Sequence, residues 1–436
     1  MYKPLEIILL TDPESFFSRW LLVSHLFHVR ETYAPEPEKI NNSRPEAAVK
    51  DIGTFSSDGS DCPILISARH VHSYARKYGI PGKNILKPGD IRKIIIAALA
   101  DHEGSHALLT RDLFDDSYLS QALKGMYEMH PECEKVFTAD SSMARLRLYP
   151  SRKYLLTLAI PLLKLLADLF GGRIHPKAPE KGTLVLWNMT DPFFIRDIIR
   201  NTSYRRYILR IIDGRNRVSF PGILTMMAEK IPGFEIESYA RDFPSPVKYF
   251  PQTLSATMFR EILRSTNRTE AKEAFFCGSC DSERLVKIRD IKSQLEAEGV
   301  AVSLYICLEG GASAGDLKEC VYEKRLSYPD YLKKAASSSI ILEIMRPGHA
   351  GLSLRPLEAL FFRKKLITDN PAIRNSEVYH PDNIFILGED TDLGAFLRRD
   401  FAAFVIDRPE ITRALTENYL AEKFLSVPSG KSGENA

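Results

Sequence analysis

The chain has 436 residues, of which 44% are hydrophobic and 26% charged, and it carries a formal net charge of +3 at pH 7. That length is too great for one ordinary core and predicts two α/β domains, and the composition is that of a soluble globular protein. A charge so near balance removes any global pointer to nucleic acid. The cysteines Cys62, Cys133, Cys277, Cys280, Cys307 and Cys320 are too scattered for a disulfide framework and fit a reducing cytosol.

The N-terminus from Met1 to Glu6 lacks the basic region, long apolar core and small-residue cleavage site of a signal peptide. It reads as the approach to a first strand, Glu6–Leu10. Further strands are predicted at Pro63–Ser67, Thr183–Trp187 and Tyr207–Ile212, with helices at Ser15–His28, Asp90–Ala100 and Pro192–Arg200. The Pro-, Glu-, Asn- and Ser-rich stretch Ala34–Ser60 reads as one long loop. Strands alternating with helices predict a parallel sheet covered on both faces.

Tyr154–Phe170 is strongly apolar but is interrupted by Pro161, Lys164 and Asp168, and it falls short of the roughly 20 apolar residues a spanning helix needs. It reads as a buried or inter-domain helix, with a helix lying on a membrane surface as the other reading. The arginines between Arg196 and Arg217 are interleaved with a strand, so their side chains should point to different faces.

A second unit begins near residue 270. Glu273–Cys277 (strand), Ser282–Glu298 (helix, with Gly299 suited to its C′ position) and Ala301–Cys307 (strand) form a βαβ unit. A helix at Tyr328–Ser337, a strand at Ser339–Ile344, a helix at Ser353–Phe362 and strands at Lys365–Thr368 and Asn383–Leu387 follow. Prolines between Pro221 and Met258 mark a connection. The expected division is a first domain over residues 1–225, a linker over 226–269, a second domain over 270–408, a helix over 409–427 and a disordered tail over 428–436.

The most informative stretch runs from Gly348 to Leu360. A Gly-containing turn between two buried strands opens a short helix, with Arg355 near its start and Glu358 one turn later. That is the layout of a phosphate and ribose site, since backbone N–H groups at a helix N-terminus favour an anion and a carboxylate can accept from sugar hydroxyls. Gly278 lies likewise between a strand and a helix, where backbone can approach a diphosphate, with Ser279, Ser282 and Arg284 as nearby donors.

Two other motifs compete. His102-Glu103-Gly104-Ser105-His106 matches H-E-x-x-H, in which two histidines on one helical face bind zinc and the Glu acts as base, with Glu128 as a conceivable third ligand. Asp101 before the first His and Gly104 at the centre count against that metalloprotease reading. Cys277-Gly278-Ser279-Cys280 has redox spacing but no second cysteine pair to complete a zinc site.

Taken in order, Phe275-Phe276-Cys277-Gly278 with Arg284, Tyr328-Pro329-Asp330-Tyr331-Leu332, Ser339 to Glu343, Gly348 to Phe362, Lys364 to Asn370 and Asn383 to Leu387 resemble the donor-binding domain of bacterial GT-B glycosyltransferases of lipopolysaccharide and capsule synthesis. The resemblance spans roughly residues 270–390. It implies two Rossmann-like domains facing a cleft, and a sugar moved from a nucleotide-sugar donor to a glycan or lipid-linked glycan acceptor, with no catalytic metal and no further cofactor. It places Gly278, Ser279, Arg284, His349, Gly351, Ser353, Arg355 and Glu358 at the donor, with Glu358 against the ribose. Arg355 has the bland alternative of an ion pair with Glu343 or Glu358, and Tyr328 and Tyr331 are read as core.

An inverting version needs a base from the first domain. Asp12, Asp191 and Asp213 follow or adjoin predicted strand ends, with Asp191 preferred, and each has the alternative role of a helix N-cap or turn carboxylate. The expected location is the cytoplasm, peripheral to the inner membrane. A non-catalytic nucleotide- or glycan-binding module is the remaining alternative.

Overall fold

The computed structural model describes residues 5–11, 27–34, 50–51, 64–67, 88–101, 106–110, 118–130, 181–212, 218, 221–240, 243, 245–266, 272–323, 326–346, 351–402 and 409–425. Strands β1 (Leu5–Thr11), β2 (Phe27–Ala34), β3 (Lys50–Asp51) and β4 (Ile64–Ser67) form one parallel sheet in the order β3-β2-β1-β4. Helix α1 (Pro88–Asp101), β5 (Ala107–Thr110), α2 (Tyr118–Met129), β6 (Lys181–Trp187), α3 (Pro192–Asn201), β7 (Tyr204–Ile211), α4 (Pro221–Lys230), β8 (Phe234–Ser238) and β9 (Lys248–Tyr249) follow. Their strands make a second parallel sheet in the order β5-β6-β7-β8-β9.

The centre of that sheet is apolar on both faces, as parallel strands flanked by helices require. Leu184, Val185, Leu186 and Trp187 are all fully buried. Helix α3 starts at Pro192, whose fixed φ suits a first turn, and it turns Phe194, Ile195, Ile198 and Ile199 into the core with Leu99, Leu186 and Leu209.

Three sequence expectations need correction here. Phe27 and His28 belong to β2 rather than to a helix, and β3 lies inside the stretch expected to be loop. Residues 226–269 are not a linker either: β8 pairs with β7 along its length, and α5 (Ala256–Ser265) packs Met258, Phe259 and Ile262 into the second unit. Pro232, Pro246 and Pro251, among the prolines that suggested a connection, fall between these elements and not within them.

The second unit contains β10 (Glu273–Cys280), α6 (Ser282–Ala297), β11 (Ala301–Leu308), α7 (Tyr328–Ser337), β12 (Ile340–Glu343), α8 (Arg355–Phe362), β13 (Lys365–Thr368), β14 (Ile384–Ile386) and α9 (Leu393–Arg398). Its parallel sheet runs β11-β10-β12-β13-β14. The first strand therefore lies inside the second, and the direction of winding reverses between β10 and β12, which is where open α/β sheets leave a crevice beyond their strand ends. Side chains of β10 alternate across the sheet: Ala274, Phe276 and Cys280 pack with Leu285 and Ile288 of α6, whereas Phe275 packs with Leu332 and Leu360 on the other face.

The helix expected near the C-terminus is two, α10 (Pro409–Arg413) and α11 (Thr416–Leu425), broken where Leu415 bridges to Leu254. Helix α11 returns to the first unit, with Tyr419 edge-on to Trp187 at 6.0 Å and Leu420 in one cluster with Leu108 and Val185. Among the described residues no helix is long and apolar enough to cross a membrane. Tyr154–Phe170 and the tail 428–436 lie outside the described residues.

Candidate functional site

A cavity of about 500 Å3 opens at the reversal between β10 and β12. Gly278 and Ser279 at the end of β10, and Ile344, Met345 and Arg346 just beyond β12, line one side of it. Ile212 beyond β7, Tyr239 beyond β8 and Gln252 face them from the first unit, so the carboxyl ends of two parallel sheets enclose one space. A cleft of this size with a few convergent polar groups is a ligand-site geometry.

Arg284 sits 4% exposed on the first turn of α6. Its Nη1 donates to the Ser279 carbonyl and its Nη2 to the Ile344 carbonyl, so one guanidinium bridges the ends of β10 and β12. Arg355 opens α8, and its Nη2 donates to the Cys277 carbonyl. Neither arginine makes an ion pair with any described residue, and the Nε–H of each is buried without an acceptor. Burial lowers the Arg284 pKa, with the neighbouring Arg355 and Arg346 charges adding to that effect. Burial also opposes the Arg355 charge, but Tyr331 and Glu358 outweigh it and the net shift is upward. A buried and a half-buried cation with no carboxylate bonded to them among the described residues are costly unless an anion joins them.

Glu358 is 2% exposed on α8. Its Oε1 accepts from Tyr328 Oη at 2.9 Å and its Oε2 from Tyr331 Oη, and each oxygen keeps a second lone pair. Burial raises its pKa above the usual carboxylate range, against the pull of Arg355. Tyr328 and Tyr331, expected to be core, thus line the cavity and orient its carboxylate. Their rings stack at 6.0 Å between centroids. Ser353 accepts from the Arg355 backbone N–H at 3.1 Å, while its own hydroxyl donates to Glu343, a fully buried carboxylate also held by Thr368 at 2.6 Å.

Of the residues singled out in the sequence, Gly278, Ser279, Arg284, Ser353, Arg355 and Glu358 meet around this cavity. Gly351 does not line it. Its φ of +110° and the Tyr239 carbonyl, 3.0 Å from where a Cβ would sit, require glycine there. His349, Asp12 and Asp213 lie outside the described residues. Asp191 is the N-cap of α3: its Oδ1 accepts from Phe193 N and Phe194 N, and its Oδ2 pairs with Arg92 at 2.5 Å. Both oxygens are occupied and the residue is not part of the cavity lining, so the preference for it as a base gives way to its capping role.

The described part of the zinc motif, His106, is not placed as a helical ligand. His106 directly precedes β5 and lies on no helix, while His102 and Glu103 lie outside the described residues. The His106 ring packs over Gly182, where an added Cβ would lie 2.6 Å from Nε2, and meets Phe424 edge-on. Among the described residues no group of three His, Cys, Asp or Glu side chains is placed to hold a metal ion.

Arg346, Gln252 and Tyr239 were not anticipated. Arg346 follows β12 and pairs with Glu309 at 3.1 Å. Its place just past a predicted strand was a usable signal; Gln252 and Tyr239 reach the site only through the packing of one unit on the other.

No protein-family model matches the chain, and no curated protein matches it. Among solved structures, a glycosyltransferase from Rickettsia africae is similar at 9% identity and a TM-score of 0.38, over 74% of this chain and 95% of that one. Anabaena HepE in complex with UDP and glucose is similar at 11% identity and a TM-score of 0.37, over 73% and 95%. The E. coli heptosyltransferase WaaC with ADP is similar at 11% identity and 0.28, over 64% and 92%. Likenesses of this size leave the functional argument to the residues of the cleft.

Proposed function

We propose that the protein is a glycosyltransferase that moves a sugar from a nucleotide-sugar donor bound in this cleft. The observation that carries the reading is the pair of guanidiniums, buried Arg284 and half-buried Arg355, which line a cavity at a winding reversal without an ion pair to any described residue. A diphosphate supplies the missing negative charge and accepts bidentately from arginine. Glu358 accepts from the ribose hydroxyls through its remaining lone pairs, and the apolar lining of Leu326, Met345 and the two tyrosines suits a base and sugar.

In the transfer step the acceptor hydroxyl oxygen bonds to the anomeric carbon as the bond from that carbon to the diphosphate breaks. The diphosphate leaves with the bonding electrons, and the hydroxyl proton passes to a base. Charge growing on the leaving group is met by Arg284 and Arg355. Asp12 and Asp213, which follow β1 and β7, are the candidate bases, and no cofactor beyond the donor is required. The sequence resemblance over residues 270–390 supports a lipopolysaccharide or capsule glycan as acceptor, handled at the cytoplasmic face of the inner membrane.

The test is a thermal-shift panel of UDP, GDP, CMP and ADP on wild type, Arg355→Met and Glu358→Gln, with and without chelator. A nucleotide at 100 times its Kd adds about 2.7 kcal/mol of stability. One nucleotide is expected to stabilise the wild type, less so either variant, and equally with chelator. Absence of any shift would sink the reading. Nucleotide binding without release of free nucleotide from the matching nucleotide-sugar, in the presence of glycan acceptors, would favour a non-catalytic binding protein.

A further inference from the structure

A second cavity, of about 530 Å3, adjoins the first and shares Gln252 and Ser353 with it. The two differ in charge. The donor cavity is lined by three arginines (Arg284, Arg346, Arg355) and one glutamate (Glu358), whereas the second is lined by one arginine (Arg413) and two glutamates (Glu377, Glu422). With Glu422 also paired to Lys423 at 3.7 Å, this lining carries no cluster of arginines to hold a phosphate or a carboxylate.

The rest of the second lining divides into two kinds of surface. Tyr249, Leu357, Val378 and Ile411 are apolar, and Tyr249 keeps 43% of its surface exposed. Gln252, Asn375 and Arg413 supply hydrogen-bonding groups that bond no other described residue. Carboxamides offer donor and acceptor together and guanidinium offers donors only. That combination suits a ligand with many hydroxyls and apolar ring faces, and with no net charge.

Gln252 stands where the two cavities meet, on a backbone tied at both ends. Arg210 Nη2 donates to the Pro251 carbonyl, and Phe250 N donates to the Ser238 carbonyl at 2.9 Å. On the other side Leu254 N donates to the Ala414 carbonyl at 2.7 Å, and Thr416 N to the Leu254 carbonyl at 2.6 Å. A side chain held this way meets its ligand with little backbone entropy left to lose.

We infer that the second cavity is the acceptor subsite and takes a neutral carbohydrate, with Gln252 positioning it against the donor sugar. The inference rests on the transferase reading for the word acceptor, but the carbohydrate site itself is testable alone. The probes are octyl β-glucoside, β-galactoside and β-mannoside below their micellar concentrations, and octyl β-glucuronide as an acidic counterpart, followed by saturation-transfer NMR.

At least one neutral glycoside should show transfer to its ring protons in the wild type, and the glucuronide should bind more weakly. UDP and ADP should not displace it. Asn375→Ala and Arg413→Ala, both at exposed positions, should each weaken it about tenfold, the effect of one or two lost hydrogen bonds. Arg355→Met should leave it unchanged. The proposal is overturned by no binding, by contact through the octyl chain alone, by displacement with nucleotide, or by indifference to Asn375→Ala and Arg413→Ala. A missing nucleotide shift in the wild type is a separate result that strikes the donor reading and leaves the glycoside arms to be judged by themselves.

Discussion

Glu417 and Ser255 meet at 2.7 Å across 162 residues of chain, and together they close the N-terminus of α5. Ser255 Oγ donates to Glu417 Oε1 and accepts from Met258 N at 3.2 Å, while Glu417 accepts from Ala256 N and Thr257 N, both at 3.0 Å. A carboxylate on three donors at a helix N-terminus is stabilised by the dipole as well as by the bonds. Glu417 is fully buried, so Glu417→Ala leaves two backbone donors without partners. The expected loss is roughly 3 kcal/mol, with Glu417→Gln losing about half as much, read from urea unfolding midpoints. Equal stability of Glu417→Ala and wild type would refute this role.

Gly125 on α2 is the close neighbour that this arrangement demands. A Cβ there would sit 2.3 Å from Thr257 Oγ1 and 3.1 Å from Glu417 Oε1. Gly125→Ala gains about 1 kcal/mol of helix propensity. Overpacking costs about 1–3 kcal/mol and acts on the capped end of α5 as well, so the variant should be less stable than wild type. Adding Thr257→Ala removes the nearest atom and should restore part of the loss. Thermal unfolding of the single and double variants decides this, and a more stable Gly125→Ala would contradict the packing.

The raised pKa of Glu358 gives stability a signed pH dependence. A carboxylic acid that holds its proton more tightly folded than unfolded adds stability that is fully present below its ordinary value of 4.5. That contribution is lost as pH climbs through the folded-state value. Glu358→Gln carries no such proton. The stability advantage of wild type over Glu358→Gln should therefore shrink from pH 4.5 towards neutrality, as measured by melting temperature in matched buffers. An advantage that grows with pH would mean the carboxylate is held as an anion.

The second unit was legible because its signals are local. Ala274 to Phe276 and Ile340 to Glu343 are short apolar runs, and strand ends followed by helix starts located Gly278, Arg284, Ser353, Arg355 and Glu358 before any neighbour was known. Where the answer depended on tertiary partners, the sequence was silent or misleading. Gln252 reaches the cleft because its backbone is pinned by Arg210 and Ala414, which lie 42 residues before and 162 after it in number. Asp191 sits at a strand end as a base would, but an Asp-Pro pair entering an amphipathic helix is equally an N-cap signal, and Arg92 settled which. His102 and His106 have ligand spacing only on one helix, and His106 instead leads straight into β5.

The same logic of faces predicts the chemistry of the Cys277 and Cys280 pair. Both lie within β10, three residues apart, so their side chains leave opposite faces of the sheet. Cys277 lines the donor cavity, whereas Cys280 is buried against α6. Burial pushes both thiols up to about 11 despite nearby Arg355 and Arg284, respectively, so little thiolate is present at neutral pH. Diamide treatment should therefore leave the pair unbridged, and iodoacetamide should label Cys277 slowly, faster at alkaline pH and ahead of Cys280. A nucleotide that stabilises the protein should slow labelling at Cys277 further. Peptide mass mapping reads each outcome, and a bridge between Cys277 and Cys280 in folded protein would contradict the strand geometry.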